Sequence, residues 1–248
     1  ENVAVGALSL DAQTTSSYNV AIGHNAGGAN TADHNTFVGR YAGAANTTGA
    51  NNVVVGSGAF ASNTTGSENV SVGKGSLNAN TTGAQNTAVG RDAGLVNTTG
   101  GYNTVVGAYA LDANTTGNYN TAVGREALGA NTTADSNTAV GRNALGVNTT
   151  GASNAAFGAT ALDANTTGSN NTGIGKDALT ENTTGASNTA VGTFALNNNT
   201  TASENTAVGY NSMLANTTGA DNVALGAYAL DANTTAANNT ALGRSTLS

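Results

Sequence analysis

Apolar and polar residues along this chain follow a pattern that returns every seventeen residues. Each repeat opens with Asn, and the residue three places later is Val, Ile, Leu or Phe in all fifteen repeats. Only one interval is shorter, at sixteen residues. A period this short indicates one supersecondary unit stacked on copies of itself. The opening residues are Asn2, Asn19, Asn35, Asn52, Asn69, Asn86, Asn103, Asn120, Asn137, Asn154, Asn171, Asn188, Asn205, Asn222 and Asn239.

One repeat is too short for a pair of helices, and its regularly placed Gly and Asn disfavour helix. With positions numbered 1 to 17 from the opening Asn, the repeat of Asn120 predicts a strand at 121–123. A second β-segment is predicted around Ala127 and Leu128, running towards Asn131. Each repeat then closes one coil that pairs in parallel with the next. We expect an all-β parallel β-solenoid (β-roll) of about fifteen coils, with 1-248 a single repeat segment of a longer protein.

The side chains at positions 2 and 4 share one face of the strand, because strand side chains alternate. The bulk at position 4 predicts that this face lies inside the coil. The Gly at position 5 is expected at a corner with positive φ. The predicted inward core includes Val89, Val106, Val123, Val140, Val191 and Val208. The predicted corner glycines include Gly90, Gly107, Gly124, Gly141, Gly192 and Gly209.

Two Asn columns need polar partners if they are buried. In a stack, each amide donates to one neighbouring coil and accepts from the other, which predicts a ladder. The second column is the Asn of N-T-T, from Asn46 onward to Asn233. N-T-T also matches the acceptor motif for N-linked glycans. The predicted structural ladder includes Asn86, Asn103, Asn120, Asn137, Asn188 and Asn205.

Position 3 is small or apolar and never charged, as at Ala21, Phe37 and Val54. A strand that is apolar on both faces is expected to be covered on both. We therefore expect symmetry-related copies to cover position 3 in a closed cyclic oligomer. The alternative is that small Ala residues on an exposed sheet are harmless.

The segment 19–26, N-V-A-I-G-H-N-A, resembles the head repeat of trimeric autotransporter adhesins, S-V-A-I-G-x-x-S-x-A-x-G. Val20, Ile22 and Gly23 match the apolar pair and turn glycine of that motif, whereas A-L-x-x-N-T-T-G replaces its second half. The repeats also resemble those of bacterial surface and phage-like tail-fibre proteins. The resemblance implies three parallel left-handed β-rolls in a homotrimer, located outside the cell on a cell surface or virion fibre.

Composition removes several classes of function. Charged residues make up 8% of the chain, the net charge is -7 and Cys is absent. The seven basic residues share position 6, which is a solvated corner and not a surface for nucleic acid. No apolar run is long enough to insert in a membrane, and the pair His24 and His34 lacks further metal ligands. No catalytic motif stands in its proper context. We therefore expect no enzyme, no metal and no cofactor.

The first functional hypothesis is a structural shaft or adhesive head of an extracellular fibre that contacts a host-surface receptor or glycan. The alternative is an ice-binding solenoid that uses stacked Thr and Asn columns. Adjacent Thr residues point to opposite faces, so no T-x-T pair forms, but a mixed Asn and Thr file is possible. A glycan-binding or self-assembling filament surface is a third hypothesis. The candidate surface column is Thr48, Thr65, Thr82, Thr99, Thr116, Thr133 and Thr150.

Overall fold

The structure is a computed structural model that describes residues 1–248. It is all-β, with fifteen strands of three residues each and turns between them. No helix is long and apolar enough to cross a membrane. The chain divides into two compact units, Glu1–Arg125 and Glu126–Ser248. Each unit is a parallel β-solenoid with one strand per coil, as the repeat predicted.

The first unit stacks its strands in sequence order. Successive strands pair in parallel, and partners lie one repeat apart, as in Val53 with Val70. The short repeat keeps the register, because Val20 pairs with Thr36. The strands are β1 Val3–Val5, β2 Val20–Ile22, β3 Thr36–Val38, β4 Val53–Val55, β5 Val70–Val72, β6 Thr87–Val89, β7 Thr104–Val106 and β8 Thr121–Val123.

The second unit repeats this arrangement with the same register. Thr189 pairs with Thr206, for example, and Val191 with Val208. The strands are β9 Thr138–Val140, β10 Ala155–Phe157, β11 Thr172–Ile174, β12 Thr189–Val191, β13 Thr206–Val208, β14 Val223–Leu225 and β15 Thr240–Leu242.

The predicted second β-segment is wrong. The residues that follow each strand form turns. At positions 7 and 9 the backbone has the left-handed conformation, as at Glu126 with φ 58° and Leu128 with φ 52°. A third left-handed residue ends the repeat, such as Ser136 with φ 61°. Left-handed residues reverse the chain over a few peptides, which an extended strand cannot do. Each coil therefore consists of one strand and a series of tight turns.

The inside of each coil is lined by position 3, not by positions 2 and 4. Position 3 is buried in every strand from β2 to β15, whereas its neighbours are half-buried or exposed. The Ala, Ser, Leu, Met or Phe side chains at positions 8 and 9 complete the core, as at Ala144 and Leu145. The prediction of an inward core is therefore wrong for Val89, Val106, Val123, Val140, Val191 and Val208.

The width of the coil explains this outcome. A large side chain at position 9, usually Leu, fills much of the interior, and position 3 is then mostly Ala, with the larger Val54 and Val105 beside the coils that have Gly at position 9. The largest residue at position 3, Phe37, lies where Gly27 and Gly43 stand at position 9. A Cβ atom at Gly27 would lie 2.6 Å from Cδ2 of Phe37. In the core, a large side chain in one coil is therefore matched by small residues in the same and adjacent coils.

Candidate functional site

The outer side of the strands carries the most distinctive surface of this protein. The side chains at positions 2 and 4 point away from the coil, and we call this surface the strand face. Position 2 is Thr, Val or Ala, and position 4 is Val, Ile, Leu or Phe. Val55 is 37% exposed and Phe157 is 42% exposed. Each unit thus presents an uncharged, largely β-branched sheet surface to its surroundings.

The surface that we expected symmetry mates to cover is not a surface at all. Position 3 faces the coil interior, where Ala21, Phe37 and Val54 are fully buried by their own chain. The expectation that another chain covers these residues is wrong. A strand that is apolar on both faces is still expected to be covered on both. The face that the chain leaves uncovered is the strand face.

The opening Asn residues form a ladder that combines side chains with backbone. Oδ1 of Asn86 accepts from the backbone N–H of Asn103 at 3.0 Å and from its Nδ2 at 3.1 Å. In other coils only the backbone N–H reaches the neighbouring Oδ1, as from Asn205 to Asn188 at 3.0 Å. Asn120 donates its N–H to Asn103 in the same way, and Oδ1 of Asn137 accepts from the next coil.

The Asn of N-T-T forms a second ladder, made of side-chain amides. Nδ2 of Asn97 donates to Oδ1 of Asn80 at 2.9 Å, and Nδ2 of Asn114 donates to Oδ1 of Asn97 at 2.7 Å. The carbonyl of Gly100 joins the two ladders, because it accepts from Asn97 and from Asn86, each at 2.9 Å. A buried amide saturated in this way costs little to keep from water.

Burial also decides between the readings of N-T-T. Asn46, Asn63 and Asn80 have no exposed surface, so their amides cannot receive a glycan in the folded protein. The same burial removes Asn from any ice-binding surface. A mixed file of Thr and Asn, which the sequence left open, would therefore lack its exposed Asn half in these coils.

The corner glycines adopt a conformation that other residues avoid. The six predicted corner residues have φ between 132° and 140°. A Cβ atom at Gly90 would lie 2.6 Å from the carbonyl oxygen of Gly107, and one at Gly192 equally close to that of Gly209. Both the backbone angle and the spacing of the coils therefore require Gly at position 5.

The Thr residues of N-T-T have different roles. The first is half-buried, and its hydroxyl donates to the next coil, as from Thr47 to the carbonyl of Thr64 at 2.8 Å. The second is exposed at Thr48 and at the equivalent positions Thr65, Thr82, Thr99, Thr116, Thr133 and Thr150. The candidate Thr column therefore lies at the surface, as a single file of hydroxyl groups.

Charged residues at positions 6 and 7 pair locally. Nζ of Lys176 lies 2.9 Å from Oδ2 of Asp177. Burial acts to raise the pKa of Asp177, but hydrogen bonds from Thr160 and Lys176 outweigh it, and the pKa is lowered. Burial raises the pKa of Asp163, which Glu181 raises further and its neighbour Arg142 opposes. Asp163 therefore lies close enough to Arg142, Glu181 and Asp177 for their charges to act on its pKa.

The two His residues are separate surface groups. His34 stacks on Tyr18 with ring centroids 5.0 Å apart, and His24 meets the edge of Tyr41 at 5.3 Å. No group of three or more His, Cys, Asp or Glu side chains is placed to hold a metal ion. The buried Oδ1 atoms of Asn143 and Asn211 lack a hydrogen-bond partner, and both residues stand at position 7.

Comparison of this chain with profiles of protein families, with curated proteins and with solved structures finds no match. The resemblance to adhesin heads and tail fibres therefore rests on the repeat motif and on the solenoid coils themselves. The most distinctive feature of the geometry is the exposed, uncharged strand face.

Proposed function

We propose that this chain is a non-enzymatic structural segment of an extracellular fibre, serving as its shaft or adhesive head on a cell surface or virion. The observation that supports this proposal is the strand face. It is apolar or Thr-bearing in every coil and carries no charge. A large uncharged apolar surface usually marks a protein interface.

The partner that best suits the strand face is another copy of this chain. Its side chains recur once per coil, so a partner must present matching side chains at the same spacing, about 4.8 Å. A second chain with the same repeat meets this requirement in every coil. Full burial of a Val stabilises by about 1.5–3 kcal/mol, so partial gains add up over many coils. Because the resemblance implies a trimer, we propose a homotrimer with the strand faces turned inward.

Light scattering on purified protein tests this assembly. We expect the wild type to have the mass of three chains. Val89→Lys combined with Val106→Lys should yield single chains, because buried unpaired charges are costly. The matched control is Thr99→Lys combined with Thr116→Lys, which changes exposed residues away from the strand face and should leave the mass unchanged. A single-chain wild type, or equal behaviour of the two variants, would reject the interface.

Ice binding is the second candidate, and a specific observation favours it. In strands such as Thr104–Val106 the outward residues are Thr and Val, which form two parallel files on one uncharged surface. Regularly spaced methyl and hydroxyl groups of this kind suit an ordered water lattice. This role needs the strand face open to solvent, so it predicts single chains. Thermal hysteresis with shaped ice crystals would support it, and their absence would exclude it.

A further inference from the structure

Three aromatic residues from successive repeats of the second unit meet at the surface. They are Phe194, Tyr210 and Tyr228, and we call them the aromatic cluster. The ring centroids of Phe194 and Tyr210 lie 6.5 Å apart, and those of Tyr210 and Tyr228 lie 5.4 Å apart. Tyr210 is 47% exposed. Aromatic residues are only 4% of this chain, so three adjacent rings are a local concentration.

The rings of the aromatic cluster do not cover one another. Their planes cross at 75° and 76°, so the edge of one ring meets the face of the next. The exposed pair Tyr102 and Tyr119 differs, because those rings stack at 4.9 Å and 14° and hide each other's faces. An edge-to-face arrangement leaves differently oriented ring surfaces open to solvent. These surfaces are available to a ligand.

A cation lies over the first ring of the aromatic cluster, Phe194, but none replaces the neighbouring ring at its centre. Arg91 lies over Tyr109 at 4.5 Å, and Lys176 lies over Phe194 at 5.5 Å. In both cases the cation is the position 6 residue of the preceding repeat. For Tyr228 that place is taken by Tyr210, so a second ring replaces the cation. Because Tyr210 and Tyr228 contact each other and the Lys176 cation lies at the Phe194 end, the central part of this surface favours a neutral ligand.

Polar groups stand at the border of this surface. The ion pair of Lys176 and Asp177 adjoins the ring of Phe194, and both Tyr residues carry phenolic hydroxyl groups that donate and accept. Apolar ring surfaces with a few polar groups at their border are typical of small-ligand sites. A pyranose ring has the matching chemistry, with a C–H face for the rings and hydroxyl groups for the polar border.

We propose that the aromatic cluster binds a neutral oligosaccharide of a surface glycan. The rings would pack on the C–H faces of the sugars, and the Lys176 and Asp177 pair would bond hydroxyl groups at one end. From the first to the third coil the cluster covers about 10 Å, so it suits a short stretch of sugars. This inference gives a ligand class to the adhesive role proposed above and rests on it, but it uses a surface other than the strand face.

Saturation-transfer NMR on the full chain tests the site. The probes are cellohexaose, maltohexaose and N-acetylchitohexaose, with a heparin hexasaccharide and a polyproline peptide as other ligand classes. We expect at least one neutral sugar to bind the wild type, and Tyr210→Ser to weaken that binding about tenfold or more. Tyr119→Ser, which removes another exposed ring, is the matched control and should bind as the wild type does. Tyr210→Phe keeps the ring and should retain most of the affinity.

The results separate this inference from the proposed assembly. Circular dichroism and light scattering on each variant show whether fold and mass are unchanged. No binding of any neutral probe at millimolar concentration would overturn the inference, as would equal binding by Tyr210→Ser or binding of heparin or polyproline alone. A failed sugar test with a trimeric mass rejects only the glycan site. Sugar binding by a single-chain protein rejects only the trimer.

Discussion

Val105 and Val106 are neighbours of the same residue type in β7, yet Val105 is 1% exposed and Val106 is 38% exposed. The first points into the coil and the second belongs to the strand face. The same contrast separates Phe37, fully buried at position 3, from Phe157, 42% exposed at position 4. Hydrophobicity therefore does not decide which side chain is inside. The volume that the coil has left at each position decides it.

The largest expected effect is a loss of stability that distinguishes the two Phe residues. Phe37→Ala should destabilise the fold by about 3–5 kcal/mol, because it opens a cavity between Gly27 and Gly43. Phe157→Ala should change stability by less than about 1 kcal/mol in single chains, because its surroundings include solvent. Urea unfolding followed by circular dichroism, at concentrations where the chains are single, measures both. Equal losses would contradict the assignment of inner and outer faces.

A compensating change sharpens the same comparison. Gly43 has φ 57°, close to the 51° of Leu145, which is the Leu at position 9 of another coil. Gly43→Leu alone should destabilise, because its side chain would overlap Phe37. Added to Phe37→Ala, it should recover a large part of the lost stability, because the filled volume is restored. Additive losses in the double variant would show that volume across coils does not set the core.

The second prediction compares the buried ladder with the exposed Thr column. Asn97→Ala removes donation to Asn80 and to Gly100 and leaves Oδ1 of Asn80 without this donor. We expect a loss of about 2–4 kcal/mol, which combines the lost bonds with an unpaired buried group. Thr99→Ala, two residues away and exposed, should stay within about 0.5 kcal/mol. Thermal unfolding of both variants distinguishes them, and a neutral Asn97→Ala would exclude a structural ladder.

The smallest expected effect concerns the charge of Asp163, which lies in the turns that follow β10. Burial raises the pKa of Asp163, so ionisation is less favourable in the folded state than in the unfolded one. Its cost to stability is absent below the ordinary Asp pKa and develops as the pH rises through and above that value. Asp163→Asn should therefore raise Tm slightly at pH 7 and have no effect at pH 3.

Asp231→Asn, at the same position of another repeat, is the control for the loss of a charge. An increase in Tm for Asp163→Asn that is as large at pH 3 as at pH 7 would assign the effect to packing. Differential scanning calorimetry at both pH values measures it.

Much of the fold can be predicted from particular residues. The spacing from Asn103 to Asn120 places one coil per repeat, and parallel stacking then brings like residues together. An Asn ladder and a corner Gly can be predicted from that stacking, because each depends only on an identical residue in the neighbouring coil. The turns after the strand could not be read in this way. The backbone of Leu128 has the left-handed conformation despite its side chain. Its residue type does not predict this conformation.

The repeat alone determined the solenoid, its parallel register and its polar ladders, because all three follow from placing identical units one above another. Only the tertiary structure decided which side of the strand faces inward. Alternation divides the side chains of a strand between two faces but does not determine which face is buried. That depends on how much space the turns leave inside the coil. Leu145 fills the coil and confines Ala139 to a small space inside, while Val140 is left on the outer surface. Packing volume, which arises only when the coil closes, therefore placed the bulky column on the strand face.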